Sequence, residues 1–200
     1  NGTPESGPVK MPLAMIDVLA AHQLKEGILE ALITRSVHQK AYHVEVNLYD
    51  AAVCSLYNQG SNFLMANHIP QRMGSLHPNI APYGETFTTK DGRTITLAVG
   101  SDKQFKALLA VLNSELGESY STNQQRVAQR LELADKLTEL ISQWDCEDLY
   151  AKLIDADVPV AKVNDLEEVF KNEQARALIL EDENDGLKSK RVKTVAYTIS

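Results

Sequence analysis

In the stretch MPLAMIDVLAAHQLKEGILEALITR, residues 11–35, a single aspartate, Asp17, interrupts an apolar run that continues as an amphipathic helix. A carboxylate at a helix start can serve the backbone, because negative charge is favoured beside exposed N–H groups and the positive end of the helix dipole. The same position suits a nucleophile. Met15, Ile16, Val18 and Leu19 fence the side chain, and a partly desolvated carboxylate can attack an activated carbonyl. Residue type and position leave both roles open.

Other chemistry lacks its residues. Histidines 22, 38, 43, 68 and 77 form no H-E-x-x-H or comparable pair, so no metal site is expected. The chain contains no G-x-G-x-x-G, no G-x-x-x-x-G-K-[ST] and no G-x-S-x-G, the backbone devices of nucleotide cradling and serine hydrolysis. Twenty basic residues are scattered among twenty-seven acidic ones for a net charge of −7, and no basic stripe offers itself to nucleic acid. No apolar run reaches the roughly 20 residues of a membrane span, so no membrane partner is expected. Cys54 and Cys146 stand far apart, and no basic segment leads into an apolar secretion signal; a reduced, cytoplasmic chain is expected.

The elements that must position Asp17 follow from periodicity. Ile16, Ala20, Leu24, Ile28 and Leu32 recur every four residues, predicting a helix from Leu13 to Val37. Alternation at Val44 and Val46 predicts a short strand, followed by a second helix from about Leu48 in which Asp50 has a capping role. Glycine and proline make Pro70–Pro82 an extended loop. Asp91-Gly92 between Thr86–Thr89 and Thr94–Val99 predicts a hairpin, and Ser101 with Gln104 a capping box that opens a helix through Leu112.

A long helix over Thr122–Gln143 is predicted to bury Val127, Leu131, Ala134, Leu137 and Ile141 and to pair Glu132 with Lys136 in solvent. Trp144 at its end reads as core. Residues 145–156 predict another helix, Pro159 breaks it, and Asn164 with Glu167 suggests a restart. After the acidic loop EDENDG, the tail RVKTVAYTIS alternates like a terminal strand. The fold class is mixed α/β: helices over 1–79, a small α+β domain with a hairpin over 80–165, and a return segment over 166–200.

Four blocks in order, SGPVKMPLAMIDVLAAHQLKEGILEALITR, VEVNLYDAA, RMGSLHPNIAPYGETFTTKDGRTITLAVGSDKQF and LIDADVPVAKVNDLEEVFKNEQAR, resemble the second half of family III CoA-transferases, the CaiB/BaiF family. The resemblance runs over nearly the whole chain. It implies that Asp17 attacks an acyl-CoA thioester to give an aspartyl-acyl anhydride, that CoA thiolate re-forms a thioester on the aspartate, and that an incoming acid completes the exchange. Coenzyme A is then substrate and product, with no tightly bound cofactor.

The resemblance further implies that Ala21, Gly74, His77, Tyr83 and Gly84 lie near substrate, with the Gly74–Gly84 loop supplying oxyanion donors. Ala21 stands where the family usually has glycine, adding a methyl group, and VHQKAYH at 37–43 replaces a glycine-rich turn. Family members are about twice as long, and the part without a counterpart here is the Rossmann-like N-terminal half with most CoA contacts. The expected partners are an acyl-CoA, a carboxylic acid, and either a second copy in an interlocked homodimer or a complementing N-terminal chain. Two alternatives share these residues: an acyl-CoA racemase of the same superfamily, using an aspartate and a histidine, and a non-catalytic dimerisation domain.

Overall fold

The structure, a computed structural model, describes residues 2–116 and 118–199. The chain forms two compact units, Asn1–Pro78 and Asn79–Ser200. The first is helical: α1 (Met15–His38), α2 (Leu48–Cys54) and α3 (Tyr57–Ala66). α1 packs on α2 but buries none of its own residues, and among the described residues of this unit only Ala51 of α2 is buried. Asn47 caps α2 by accepting the Asp50 N–H at 2.8 Å, so Asp50 is the cap's partner in the first turn.

Val44 and Val46 form no strand. The chain leaves α1 through Gln39 in the left-handed conformation and returns along the helix, where a Cβ on Gly27 would lie 2.8 Å from Val44 Cγ1. Glycine at 27 is what lets this segment lie so close to the helix. Two alternating valines without a neighbouring strand to bond have only this packing to fix them. The helix expected from Leu48 breaks at Ser55–Leu56 into α2 and α3.

The second unit carries the core. Strands β1 (Tyr83–Thr88), β2 (Thr94–Ala98) and β3 (Val160–Lys162) form an antiparallel sheet in that order, with Thr86 opposite Thr96 and Thr96 opposite Ala161. The period-2 alternation sends Phe87, Ile95, Leu97 and Val99 inward. They meet Phe105 and Leu108 of α4 (Asp102–Val111), Leu133, Leu137 and Ile141 of α6 (Arg130–Ile141), and Leu149 and Leu153 of α7 (Cys146–Asp155). Trp144 packs half-buried against this cluster, with Lys152 Nζ 5.1 Å from its ring centroid.

The hairpin and the capping box of Ser101 and Gln104 form as expected. The long helix does not. Thr122 and Gln125 make a second capping box, opening α5 (Asn123–Ala128), and α6 begins after Gln129 leaves helical geometry at φ −113°. The buried side is Arg126, Arg130, Leu133, Leu137 and Ile141, while Leu131 is 79% exposed. Lys136 and Glu132 do pair, at 3.1 Å.

Farther on, Asp165, not Asn164, caps α8 (Leu166–Lys171) by accepting the Glu168 N–H. After α9 (Glu173–Arg176), the segment read as an acidic loop is itself strand β4 (Ile179–Asn184). It turns at Asp185-Gly186 and pairs with β5 (Leu187–Val192), so the terminal strand ends at Val192. Cross-strand pairs such as Lys190 with Glu181 at 2.6 Å hold this exposed hairpin.

Candidate active site

Asp17 lies in the first turn of α1. Ala14, at the N-cap position, offers no side-chain oxygen, and the first helical bond runs from Val18 N–H to Ala14 C=O at 3.1 Å. The N–H groups of Met15, Ile16 and Asp17 therefore precede the hydrogen-bonded ladder and make the positive end of the helix. The expected desolvation does not occur in this unit: Asp17 is exposed, on the lip of a cleft of about 370 Å³ walled by Met11, Leu13, Met15, Ile16 and Lys10. Four of those five walls are apolar, and Lys10 is a cation that residue typing along the chain did not single out. Its signal is its place seven residues before Asp17, at the end of the Gly/Pro-rich opening. Ala21 follows Asp17 by one turn of α1 and is exposed.

The other unit-one candidates sit on the loop after α3. Gly74 has φ +63° and its N–H donates to the Gly2 carbonyl at 2.9 Å, so this amide is engaged within the unit. His77 is half-buried, its Nε2 3.3 Å from the Asn58 Nδ2 of α3. Tyr83 and Gly84 belong to the second unit, where they begin β1. Gly84 has φ +90° at the irregularity that separates the Tyr83–Ala98 pair from Thr86–Thr96.

Upstream of them, the backbone of residues 79–81 is held by side chains from α5 and α6. Asn123 accepts the Ala81 N–H at 3.1 Å and donates to Asn79 C=O at 2.8 Å. Arg126 Nε donates to Ala81 C=O at 2.8 Å, and Arg130 donates to Ile80 C=O. Arg126 is fully buried, pairs with Asp102 at 2.7 Å, donates to Tyr120 C=O and lies 4.5 Å from the Phe105 centroid. Arg130 lies 3.4 Å from the buried Glu85 carboxylate. Residues 123, 126 and 130 follow helical spacing, so one face of the α5–α6 region holds three consecutive residues of the HPNIAPY block in place. The pattern N-x-x-R-x-x-x-R was legible; its inward direction was not, because arginine ordinarily faces water.

No cluster of metal-ligating side chains occurs among the described residues, and no helix among them is long and apolar enough to cross a membrane. Burial pushes the Cys146 thiol above its ordinary value, which makes it an inert core side chain.

The model of CoA-transferase family III matches residues 1–199, and the chain is a member of that family. Among characterised relatives it is 34% identical to a succinate–glutarate CoA-transferase of Agrobacterium fabrum (88% of this chain, 44% of the relative) and 31% identical to the Homo sapiens succinyl-CoA:glutarate CoA-transferase (90% and 42%). Among solved structures, a CaiB/BaiF family protein from Brucella suis matches at TM-score 0.70 and 34% identity, covering 99% of this chain and 52% of that one. A protein from M. tuberculosis shares the fold at TM-score 0.80 and 20% identity, over 100% of this chain and 53% of that one. The chain spans about half the length of the curated relatives it matches.

Proposed function

We propose that the protein of which this chain is part exchanges coenzyme A between an acyl-CoA and a carboxylic acid, with Asp17 as the covalent nucleophile. The observation that carries this reading is the exposed Asp17 carboxylate at the uncapped start of α1, on the lip of a largely apolar cleft. One carboxylate oxygen attacks the thioester carbonyl carbon, the C–S bond breaks, and CoA leaves as thiolate from an aspartyl-acyl anhydride. The thiolate attacks the aspartyl carbonyl, releasing the first acid as its carboxylate and leaving an aspartyl-CoA thioester. The incoming carboxylate attacks that thioester, again expelling thiolate, and the thiolate takes the new acyl group and restores Asp17. No proton and no net charge is lost over the cycle.

Each step builds negative charge on a carbonyl oxygen. With the Gly74 amide engaged by Gly2, the free N–H groups at the start of α1 are the donors nearest Asp17 in sequence. Lys10 adds a positive charge to the cleft wall, favouring the departing thiolate. The names of the relatives point to short dicarboxylic acids as donor and acceptor. With this function goes a complementing N-terminal half for most CoA contacts, either a second copy in an interlocked homodimer or a separate N-terminal chain as partner, and a cytoplasmic setting.

The test is intact-protein mass spectrometry of the complete enzyme after incubation with succinyl-CoA, with hydroxylamine to trap the activated carboxyl. An adduct on the peptide carrying Asp17, absent in Asp17→Ala, is the expected result. A folded wild-type protein that forms no adduct and exchanges no CoA would instead be a non-catalytic binding domain.

A further inference from the structure

A second cleft in the first unit, of about 500 Å³, lies against the loop that carries Gly74. Leu56, Met73 and Leu76 supply aliphatic wall, and Ser55, Gln59, Gln71 and Arg72 supply polar groups, Arg72 the one charge among the residues lining it. No carboxylate is among the residues lining it. Arg72 is exposed and has no ion-pair or hydrogen-bond partner among the described residues. Gln59 Oε1 is buried and makes no hydrogen bond, an uncommon and costly state for an amide. Turned over, the same amide presents Nε2 as a donor.

A single guanidinium with neutral donors beside it and an aliphatic wall suits a short methylene chain that ends in a carboxylate. The methylenes lie against leucine and methionine, and the carboxylate takes paired N–H donors from the arginine. A dicarboxylic acid undergoing CoA exchange has such an end, since one carboxyl group reacts and the other must be held elsewhere. Gly74, first residue of the candidate active-site loop, is part of the cleft lining, which ties the cleft to that loop.

We propose that this cleft binds the non-reacting carboxylate of a dicarboxylic substrate, with Arg72 as its specificity-determining residue and Gln59 as a second donor. The inference rests on the CoA-transfer function proposed above. It predicts a preference for dicarboxylic over monocarboxylic acids of equal length, because only the diacid brings the arginine a second carboxylate to pair with.

The experiment compares glutarate with pentanoate as acceptors from succinyl-CoA in the complete enzyme. In Arg72→Gln, kcat/KM for glutarate falls at least roughly tenfold, through KM, while that for pentanoate stays within about twofold, and Arg72→Lys restores part of the glutarate activity. Gln59→Glu, which faces the same carboxylate with a like charge, lowers glutarate activity selectively. An unchanged ratio of the two acids in Arg72→Gln, or an equal loss on both, overturns the subsite and leaves the transferase function standing. A folded wild-type enzyme that exchanges CoA with neither acid overturns the subsite, and one that also forms no trapped adduct with succinyl-CoA overturns the transfer function.

Discussion

The Asp91 carboxylate, in the turn between β1 and β2, accepts the backbone N–H of Cys146 at 3.2 Å, across 55 residues of sequence. α7 is thus capped from the hairpin, because Asp145 at its own N-cap position makes no such bond. The neighbouring Lys90 N–H donates to Trp144 C=O at 2.9 Å, and Arg93 Nη1 pairs with Glu147 of α7 at 2.5 Å. One turn therefore fixes the start of a helix that supplies Leu149 and Leu153 to the core.

This cap titrates. The Thr89 hydroxyl, donating at 2.6 Å, holds the Asp91 carboxyl below its ordinary value of 3.8, and the Cys146 N–H acts in the same direction. A carboxyl whose folded value is depressed adds stability above its unfolded value and loses it as pH falls through the folded one. Thermal melts between about pH 2 and pH 6 should show the wild type losing its advantage over Asp91→Asn across that acidic window, and keeping it undiminished at higher pH.

Arg126 offers a test in the opposite regime, a charge with no solvent. Arg126→Ala removes the partner of Asp102 and the donor to Ala81 and Tyr120 carbonyls, and leaves a cavity beside Phe105. The expected loss is about 3–5 kcal/mol in urea denaturation of the second unit. Asn123→Ala, which frees Ala81 N–H and Asn79 C=O without opening the core, should cost about 1–3 kcal/mol.

The phase of α6 is checked by two leucines. Leu133 is 1% exposed and Leu131 79% exposed. Leu133→Ala should destabilise by about 2–5 kcal/mol, whereas Leu131→Ala should fall within about 0.5 kcal/mol of wild type. Equal effects would mean that the helix presents a different side to the core.

Asp17→Asn separates stability from chemistry. The side chain is exposed in the first turn of α1, so the loss of its favourable position at the helix end should cost no more than about 1 kcal/mol by circular dichroism melts. CoA exchange and the trapped adduct should vanish together.

What the sequence showed well was local. Asp91-Gly92 sets its turn through two residues, and Ser101 and Gln104 satisfy each other's backbone within four. What it hid depends on distant partners. Val44 and Val46 alternate like a strand but have no strand to pair with, and β3, three residues long, exists because Thr96 and Leu97 lie alongside it. Of the five apolar positions chosen for Thr122–Gln143, Leu137 and Ile141 are buried as expected, Val127 and Ala134 are half-buried and Leu131 is exposed; Arg126, Arg130 and Leu133 take buried positions instead, and pattern reading does not assign arginines there. Asp17 stands out in the sequence as a lone carboxylate in an apolar run and its expected role as nucleophile comes from the resemblance, while its exposure and the presence of Lys10 in the same cleft are facts of packing.

The contrast between a first unit in which Ala51 alone is buried among the described residues and a second with a continuous apolar cluster reaches into time as well as space. Amide protons of β2, α4 and α6 are shielded by a cooperative core and exchange with solvent only when that core opens as a whole. Those of α1, whose bonds run along a helix that buries nothing of its own, are released by fraying and partial opening, orders of magnitude sooner. In deuterated water the helix that begins beside Asp17 would take up label while the sheet stays protonated, so the two units of this chain keep separate clocks.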